Sequence, residues 1–479
     1  MIKTMKPLEK KAITKKSENL SEWYTDVILK AELADYAPVK GCMVIRPYGY
    51  AMWEAVQKFM DPLIKEKGVE NAYFPLFIPE KYLEMEKEHV EGFAPHMAVV
   101  TIAGGEKLQE RLVVRPTSET IMYDMYKKWT SSWRDLPVRM NQWNNIVRWE
   151  KRTYLFLRTS EFLWQEGHCA HMTHEESQET VFWAMEMYRK TYNELMAIYG
   201  IVGEKSDSEK FAGGNKTYTF EALMPDGKAL QACTSHDLGQ NFSKVFDWTV
   251  QDKEGKNVHP WQNSWGFSTR SLGGLFLTHG DDQGTVIPPN IAPIQVVIIP
   301  IKPESVEYCQ GIFADLESEN IRVKIDNRDT KSVGWKFNEW ELKGVPVRIE
   351  IGQKEIESGE LTVYRRDKGE KFKMQKSKVK IEVKTVLEEI QKNLFNNHKE
   401  FTEKNTFVVD SYDEFKTIMK TTRGFIRAFW CEDKECEAKI KEETKATTRC
   451  LPLGAVSEKG KCIYCGKPAT HRWLFAQAY

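Results

Sequence analysis

Apolar residues recur along the chain with two periods. From Glu22 to Ala34 the spacing of Trp23, Val27, Ile28 and Ala31 predicts one buried face of a helix. Tyr50 to Lys67 repeats that period through Trp53, Val56, Phe59, Met60 and Leu63, and Gly68 stops it. Asn71 to Ile78 reads as extended chain. Pro75 inside it donates no ladder hydrogen bond and belongs at an edge or an interface. Thr117 to Trp129 predicts a helix, Val138 to Trp149 and Arg158 to Gln165 two strands joined by a polar loop, and Thr173 to Tyr199 a long helix. Phe211 to Gln240 and Trp261 to Thr278 are strand-like, aromatic and punctuated by glycine.

The pattern changes at Ile287 to Pro293, where three prolines and an asparagine make a stiff connector. Strand (294–299), helix (303–319), strand (321–325), helix (332–343) and strand (345–351) then alternate, which predicts a small α/β domain with a mostly parallel sheet. A basic strand pair, Leu361 to Lys384, and a helix, Val386 to Asn397, close it. The expected organisation is a flexible Lys-rich lead-in (1–20), a catalytic domain built on an antiparallel sheet flanked by helices (21–290), the α/β domain (291–398) and a small C-terminal α+β module (399–479).

Composition narrows the class. With 479 residues the chain has room for about two to four domains. Hydrophobic residues at 41% rule out a disordered chain, and 69 basic against 69 acidic residues leave no global pull toward nucleic acid or membrane. Phosphate or RNA binding must come from local patches. No apolar run reaches the ~18 residues of a membrane span. Met1 to Lys16 lacks the apolar core of a secretory signal, so a cytoplasmic protein is expected. Nine cysteines, an odd number, argue against a disulfide framework.

Candidate chemistry concentrates between Arg115 and Arg270. The segments are Arg115-Pro-Thr-Ser-Glu119, Val147-Arg-Trp-Glu150, Leu157 to His168, Gln231-Ala-Cys-Thr-Ser-His236 and Trp265-Gly-Phe-Ser-Thr-Arg270. Single Arg-x-Glu pairs on strands are commonly surface ion pairs. Several of them together with His and Trp make a polar sheet floor suited to a polyphosphate and a zwitterion. No Gly-x4-Gly-Lys-Ser/Thr loop occurs, and Gly104-Gly105 and Gly213-Gly214 read as turns. His171 and His174, beside Glu175 and Glu176, read as a helix start. Farther on, Cys431-x4-Cys436 and Cys462-x2-Cys465 have the spacing of a structural tetrahedral Zn²⁺ site. Cys450 lies between the pairs as the competing ligand. Cys42, Cys169, Cys233 and Cys309 read as small core hydrophobes.

These segments resemble the signature motifs of class II aminoacyl-tRNA synthetases, and among them the prolyl-tRNA synthetases of the archaeal/eukaryotic-type branch. Phe74-Pro75 resembles motif 1, whose proline sits at a homodimer interface. Val147 to Glu150 through Arg158-Thr159 resembles motif 2, and Ser268-Thr269-Arg270 with Gly273-Gly274 resembles motif 3. Phe162 to His168, Thr234 to His236 and Gly334 to Pro346 match prolyl-specific stretches. The interval between motifs 2 and 3 leaves no room for the editing insertion of the other branch. The resemblance implies a ligase that activates L-proline with ATP and Mg²⁺, releases pyrophosphate and charges tRNA(Pro).

By position it implies Arg148 and Arg270 as catalytic, Arg148 bridging carboxylate and α-phosphate and Arg270 holding the outer phosphates. Glu150, Arg158, Thr159, Gln231, Thr234 and Ser268 join them at ATP. Thr117, Glu119, Trp164, Glu166, His168 and His236 surround the proline. Glu341, Lys343 and Arg348 are candidates for reading anticodon bases, and a basic face (Arg365, Arg366, Lys368, Lys371, Lys373, Lys376, Lys378, Lys380) for meeting tRNA phosphates. An aromatic C-terminus, here Tyr479, is expected to fold back toward the active site. A pocket sized for proline is expected to activate alanine and cysteine as well. Two rivals are a non-catalytic RNA-binding paralogue and a threonine or serine ligase. Intact Arg148, Arg270 and His236 argue against the first. The lack of a catalytic-zinc ligand set argues against a threonine enzyme.

Overall fold

The computed structural model of the chain describes residues 13–84 and 97–479; residues 1–12 of the expected lead-in lie outside that range. The rest of that lead-in is tied down. Thr14 donates through its amide and hydroxyl to Asp26 at 2.9 and 3.1 Å, and Lys16 Nζ donates to the carbonyls of Leu277 and Gly280 at 2.7 and 2.6 Å. No helix among the described residues is long and apolar enough to cross a membrane.

Helices α1 (Leu20–Lys30) and α2 (Pro47–Glu66) follow, each starting where the sequence offers a stop to extended chain. Asn19 caps α1 by accepting from the amides of Ser21 and Glu22, and Pro47 at the first turn of α2 loses no helix bond. Strands β1 (Glu70–Asn71) and β2 (Val138–Val147) bracket α3 (Glu119–Trp129). Then come β3 (Glu161–His171), α4 (His174–Lys190), β4 (Ile201–Glu204), β5 (Lys216–Leu223), β6 (Ala229–Gly239), β7 (Trp261–Ser268) and α5 (Arg270–His279). Apolar side chains of α1, α2, α4 and α5 and of one sheet face form one core, with Trp23, Trp53, Tyr188 and Trp265 fully buried in it. Gly167 allows the close packing there. A Cβ on it would lie 2.1 Å from the Trp265 ring.

Three expectations change here. The Asn71–Ile78 stretch is not one strand: Pro75 falls between β1 and a short strand, Phe77–Pro79, which is where its missing donor costs nothing. The helix expected to Tyr199 is α4 followed by a π-helical turn, Thr191–Leu195. Trp261 to Thr278 is extended only to Ser268 and is helical from Arg270. Leu272, Leu275 and Phe276 supply the helical period. Gly273 is required by close packing, since a Cβ on it would meet Leu157 at 2.8 Å and the Tyr24 hydroxyl at 2.9 Å.

The next unit holds β8 (Val296–Pro300), α6 (Val306–Glu317), β9 (Val323–Ile325), α7 (Val333–Leu342), β10 (Val347–Ile351), β11 (Glu360–Arg365), β12 (Glu370–Gln375) and α8 (Val379–Lys404). Its sheet order is β9-β8-β10-β11-β12. β8 pairs parallel with β9 and β10, while β10–β11 and β11–β12 are antiparallel, so the sheet is mixed rather than mostly parallel. The expected basic face does not form as one surface. Arg365 and Arg366 are buried in ion pairs, Lys376 and Lys378 lie in a short 3₁₀ turn, and Lys380 is already in α8.

The C-terminal segment contributes β13 (Thr406–Val408), β14 (Phe425–Phe429), α9 (Lys434–Thr444), β15 (Ala446–Pro452) and β16 (Arg472–Gln477). These strands continue the catalytic sheet. The eleven strands run β13-β14-β16-β15-β4-β5-β6-β7-β3-β2-β1, joined where Leu451 and Pro452 of β15 face Glu204 and Gly203 of β4. Gly203 makes that junction possible: a Cβ there would lie 2.4 Å from the Leu451 carbonyl oxygen and 2.6 Å from Cys450 Sγ. Gly203→Ala is therefore expected to lower stability by about 1–3 kcal/mol, the range for overpacking. Urea unfolding measures the loss, and limited proteolysis checks that cleavage rises first in residues 405–479.

Candidate active site

Side chains two apart on a strand share a face. On β3 Trp164, Glu166 and His168 face outward, while Cys169 belongs to the core. Antiparallel register extends this face across the sheet. His168 pairs with Ser264, Ser264 with His236, and His236 with Thr217; one step along, Glu166 pairs with Gly266, and Gly266 with Thr234. A register shift after Phe220 brings Gln231 opposite Glu221, so Gln231 joins Thr234 and His236 despite its odd spacing.

Above this floor lies a cavity of about 240 Å³. Every sequence-predicted proline and ATP residue lines it: Thr117, Glu119, Arg148, Glu150, Arg158, Thr159, Trp164, Glu166, His168, Gln231, Thr234, His236, Ser268 and Arg270. Lys205, Glu209, Lys210, Phe211 and Thr217 line it too and were missed. Alternation could have found Thr217, since Thr217, Thr219 and Glu221 interleave with Tyr218, Phe220 and Ala222. Nothing local marks Lys205 or Phe211, which the fold of the loop after β4 brings in.

Arg115 organises one wall. Its Nη1 donates to the Phe74 carbonyl at 2.6 Å and its Nε to the Asn145 carbonyl at 2.8 Å, which fixes Pro116 to Glu119 against β2. Thr117 Oγ1 donates to Glu119. Arg148 Nε donates to the Pro116 carbonyl at 3.0 Å, and its guanidinium lies 5.4 Å from the centre of the Trp164 ring. Arg270 Nε donates to the Leu157 carbonyl at 3.0 Å. Withdrawal from water pushes Arg148 down to about 10; Glu119 opposes the push and Arg270 adds to it. Burial and neighbouring Arg158 lower Arg270 in the same way. Both remain cations at neutral pH.

Glu166 is held by four donors. Ser118 and His168 reach it at 2.5 and 2.9 Å, Gln142 and Asn144 at 3.0 and 2.7 Å. Burial alone would raise its pKa, but these hydrogen bonds and the His168 charge carry it down to about 2. For His168 burial works downward, and Glu119 and Glu166 outweigh it, so its pKa is raised. His236 also feels Glu119, but burial outweighs it, and the His168 and Arg148 charges add to the downward push. Its ring nitrogens meet the hydroxyls of Thr217 at 2.9 Å and Thr234 at 3.0 Å, and burial lowers it to about 4. The two histidines of one pocket are thus shifted in opposite directions. Thr159 Oγ1, Trp164 Nε1, His168 Nδ1 and Ser264 Oγ are buried in the walls without protein partners, as expected where a polar ligand completes the bonding.

The anticodon candidates are placed differently. Lys343 pairs with Glu32 at 2.7 Å and Glu339 at 3.4 Å, at the junction with the catalytic unit. Arg348 is buried between the rings of Phe337 and Tyr364, at 4.3 and 4.2 Å, and pairs with Glu350 at 3.0 Å. Glu341 accepts from the Tyr364 hydroxyl. Packing has taken up the polar ends of all three. Tyr479 reaches the catalytic core, where its amide donates to the Ala229 carbonyl at 3.1 Å, at the start of β6.

Cys431, Cys436, Cys462 and Cys465 bring their sulfurs within 4.8 Å of one another. Cys431 lies 3.7 Å from both Cys436 and Cys465. Four thiolates on a tetrahedral zinc at ~2.3 Å stand ~3.8 Å apart, so the set could hold that ion. Cys450 is buried in a separate cluster with Leu223, Ala229 and Phe425 and is not part of the set. Cys42 is only half-buried, unlike Cys169, Cys233 and Cys309.

The Glu166–His168 pair fixes a pH window. The depressed Glu166 contributes stability that is present above its ordinary value, 4.5, and is lost as pH falls toward 2. Raised His168 contributes stability that is full below 6.5 and lost as pH rises through its folded value. In Glu166→Gln the His168 titration is expected to move to lower pH, followed by NMR of the imidazole protons; an unmoved titration would show that Glu119 alone sets it.

Comparison with known proteins agrees with this architecture. The tRNA synthetase class II core domain (G, H, P, S and T) matches residues 101–277, the anticodon binding domain residues 295–393, and the prolyl-tRNA synthetase C-terminal domain residues 412–479. The chain is 53% identical over 470 residues to proline--tRNA ligase 2 of Clostridioides difficile (strain 630), covering 98% of each. It is 50% identical over 469 residues to the proline--tRNA ligase of Alkaliphilus oremlandii (strain OhILAs), again covering 98% of each. With matching domains in matching order and half the residues shared end to end, the chain belongs to the prolyl-tRNA synthetase family of class II aminoacyl-tRNA synthetases.

Proposed function

We propose that this chain is a cytoplasmic, homodimeric proline–tRNA ligase. The observation that carries the reading is the cavity itself. Arg148 and Arg270 are anchored by carbonyls above a strand-borne floor that ends in an acid-lined recess, Glu119 beside Trp164, His168 and His236. The prolyl ammonium sits at Glu119, with the Trp164 face beside it as a cation–π partner. The ring carboxylate is already an anion at neutral pH, so no general base is needed. Its oxygen attacks the α-phosphorus of ATP, and the bond to the bridging oxygen of pyrophosphate breaks. Arg148 neutralises charge on the α-phosphate and Arg270 grips the outer phosphates, so catalysis is positioning plus charge stabilisation. Glu150, Arg158, Thr159, Gln231, Thr234 and Ser268 complete the nucleotide side. The tRNA 3′-terminal hydroxyl then takes the prolyl group and AMP leaves.

Mg²⁺, a hard cation that takes oxygen ligands, would arrive with ATP and offset charge on its phosphates, while Glu150 would lie on the adenine side. Zn²⁺ would be held by Cys431, Cys436, Cys462 and Cys465 as a closed structural crosslink. Free thiols throughout suit a reducing cytoplasm. Exposed Tyr73 and Phe77, flanking Pro75, favour a subunit contact there. The interval between motifs 2 and 3 is taken up by α4 and by β4 to β6 of the catalytic sheet, which supports the lack of an editing insertion.

Arg148→Ala is expected to cut proline-dependent ATP–pyrophosphate exchange by about 10²–10³-fold, the cost of one charge-stabilising donor. Alanine and cysteine are expected to support the same exchange at lower kcat/KM, because each missing methylene costs only ~1–3 kcal/mol. An undetectable alanine signal sinks that expectation. Elemental analysis should find one zinc per chain; Cys431→Ser with Cys462→Ser should lose it and melt earlier.

A further inference from the structure

Lys205 lines the same cavity as Arg148, Arg158 and Arg270. Lys205, just after β4, donates from Nζ to Gln231 Oε1 at 3.1 Å. An ammonium only donates, so the amide oxygen of Gln231 is turned to Lys205 and its NH₂ end is left for the cavity that Gln231 lines. The Lys205 side chain is 1% exposed and lies 3.7 Å from Glu221. Glu221 in turn accepts from Arg449 Nε and Nη2 at 2.9 and 2.8 Å, and Arg449 belongs to β15 of the C-terminal unit. Lys205 and Arg449 thus share one buried carboxylate; burial and the Arg449 charge push Lys205 down, while Glu221 holds it up. The other acid near Lys205, Glu209, pairs with Lys441 of α9 at 3.6 Å.

The C-terminal unit also holds the loop that Lys205 begins. Glu437, next to Cys436 on α9, accepts from Ser206 at 3.0 Å and from Ser208. The loop ends at Phe211, whose ring lies 4.5 Å from that of His236. Burying an ammonium in a triad of this kind is no route to stability, since apolar residues of similar volume generally do as well. Its placement calls for a role in the cleft.

We propose that Lys205 is a positioning residue for the nucleotide: it fixes the Gln231 amide as a donor toward an acceptor oxygen of ATP. Arg449, acting through Glu221, fixes Lys205. The C-terminal unit thereby completes the ATP side of the catalytic cleft. The inference rests on the reading of that cleft as the site for ATP and proline.

The test is proline-dependent ATP–pyrophosphate exchange by the full chain, with KM for ATP and for proline measured separately. Lys205→Met is expected to raise KM for ATP about tenfold, the worth of one hydrogen bond to a charged group, with KM for proline within about twofold. Lys205→Met combined with Gln231→Ala should be no worse than Gln231→Ala alone, because both changes remove the same donor. Arg449→Met should raise KM for ATP in the same direction. An unchanged KM for ATP in Lys205→Met or Arg449→Met, equal rises in both KM values, or multiplying losses in the double variant overturns the proposal. If Lys205→Met does not fold, Gln231→Glu reads the same point. It keeps its bond to Lys205 but turns an acceptor toward the nucleotide, so KM for ATP must rise; an unchanged value is decisive against the idea. Wild-type chain without proline-dependent exchange would refute the reading of the site itself; active wild type with unmoved variants refutes only the relay.

Discussion

Arg148 and Arg270 repel each other across a cleft largely withdrawn from water, and each depresses or is depressed by a like neighbour. Glu119, Glu150 and Glu166 offset part of that repulsion, and two carbonyls fix where the guanidinium groups stand. A carbonyl from the segment after Arg115 takes one Nε and a carbonyl from the loop before β3 takes the other. Neither carbonyl lies in a strand: Arg115 ties the Pro116 segment to Phe74 and Asn145, and the Tyr154–Arg158 bridge closes the turn that presents Leu157. A polyanion bound in the cleft would relieve what repulsion remains.

Sheet register separates the two histidines. His168 and His236 stand in one cross-strand row with Ser264 between them, yet one is raised and the other lowered. Both rings are buried and both feel Glu119; His168 alone is hydrogen-bonded to a carboxylate, Glu166, whereas the His168 and Arg148 charges add to the push on His236. A carboxylate and two oppositely shifted rings thereby line the recess.

Ion pairs between a largely buried cation and a more exposed carboxylate join the α/β unit to the catalytic unit. Arg366 of the α/β unit donates to both oxygens of Asp281 at 2.6 Å, and Lys343 pairs with Glu32 beside α2. The C-terminal strands are joined to the catalytic sheet at β4 and β15. Lys343 and Arg366, two basic residues of the α/β unit, take part in these joints. Breaking one partner of such a pair leaves an unpaired buried charge, so the joints fix relative placement more than they add stability.

What the sequence determined by itself was local and periodic. The helical faces around Trp23 and Trp53, the alternation that sets Trp164, Glu166 and His168 on one face, and the spacing of the four cysteines all follow from side-chain geometry within a few residues. Motif resemblance then located the cleft residues, which the fold brings into one cavity. What only the tertiary structure decided was long-range. The bulge after Phe220 puts Gln231 in phase with Thr234, and Arg449 reaches Glu221 from 228 residues away. Packing against Leu157 and Tyr24, not intrinsic preference, requires Gly273 within α5. The fates of Lys343 and Arg366 were set by partners distant in sequence. A periodic pattern records which way a side chain points; which charge it meets depends on segments that come together only when the chain has folded.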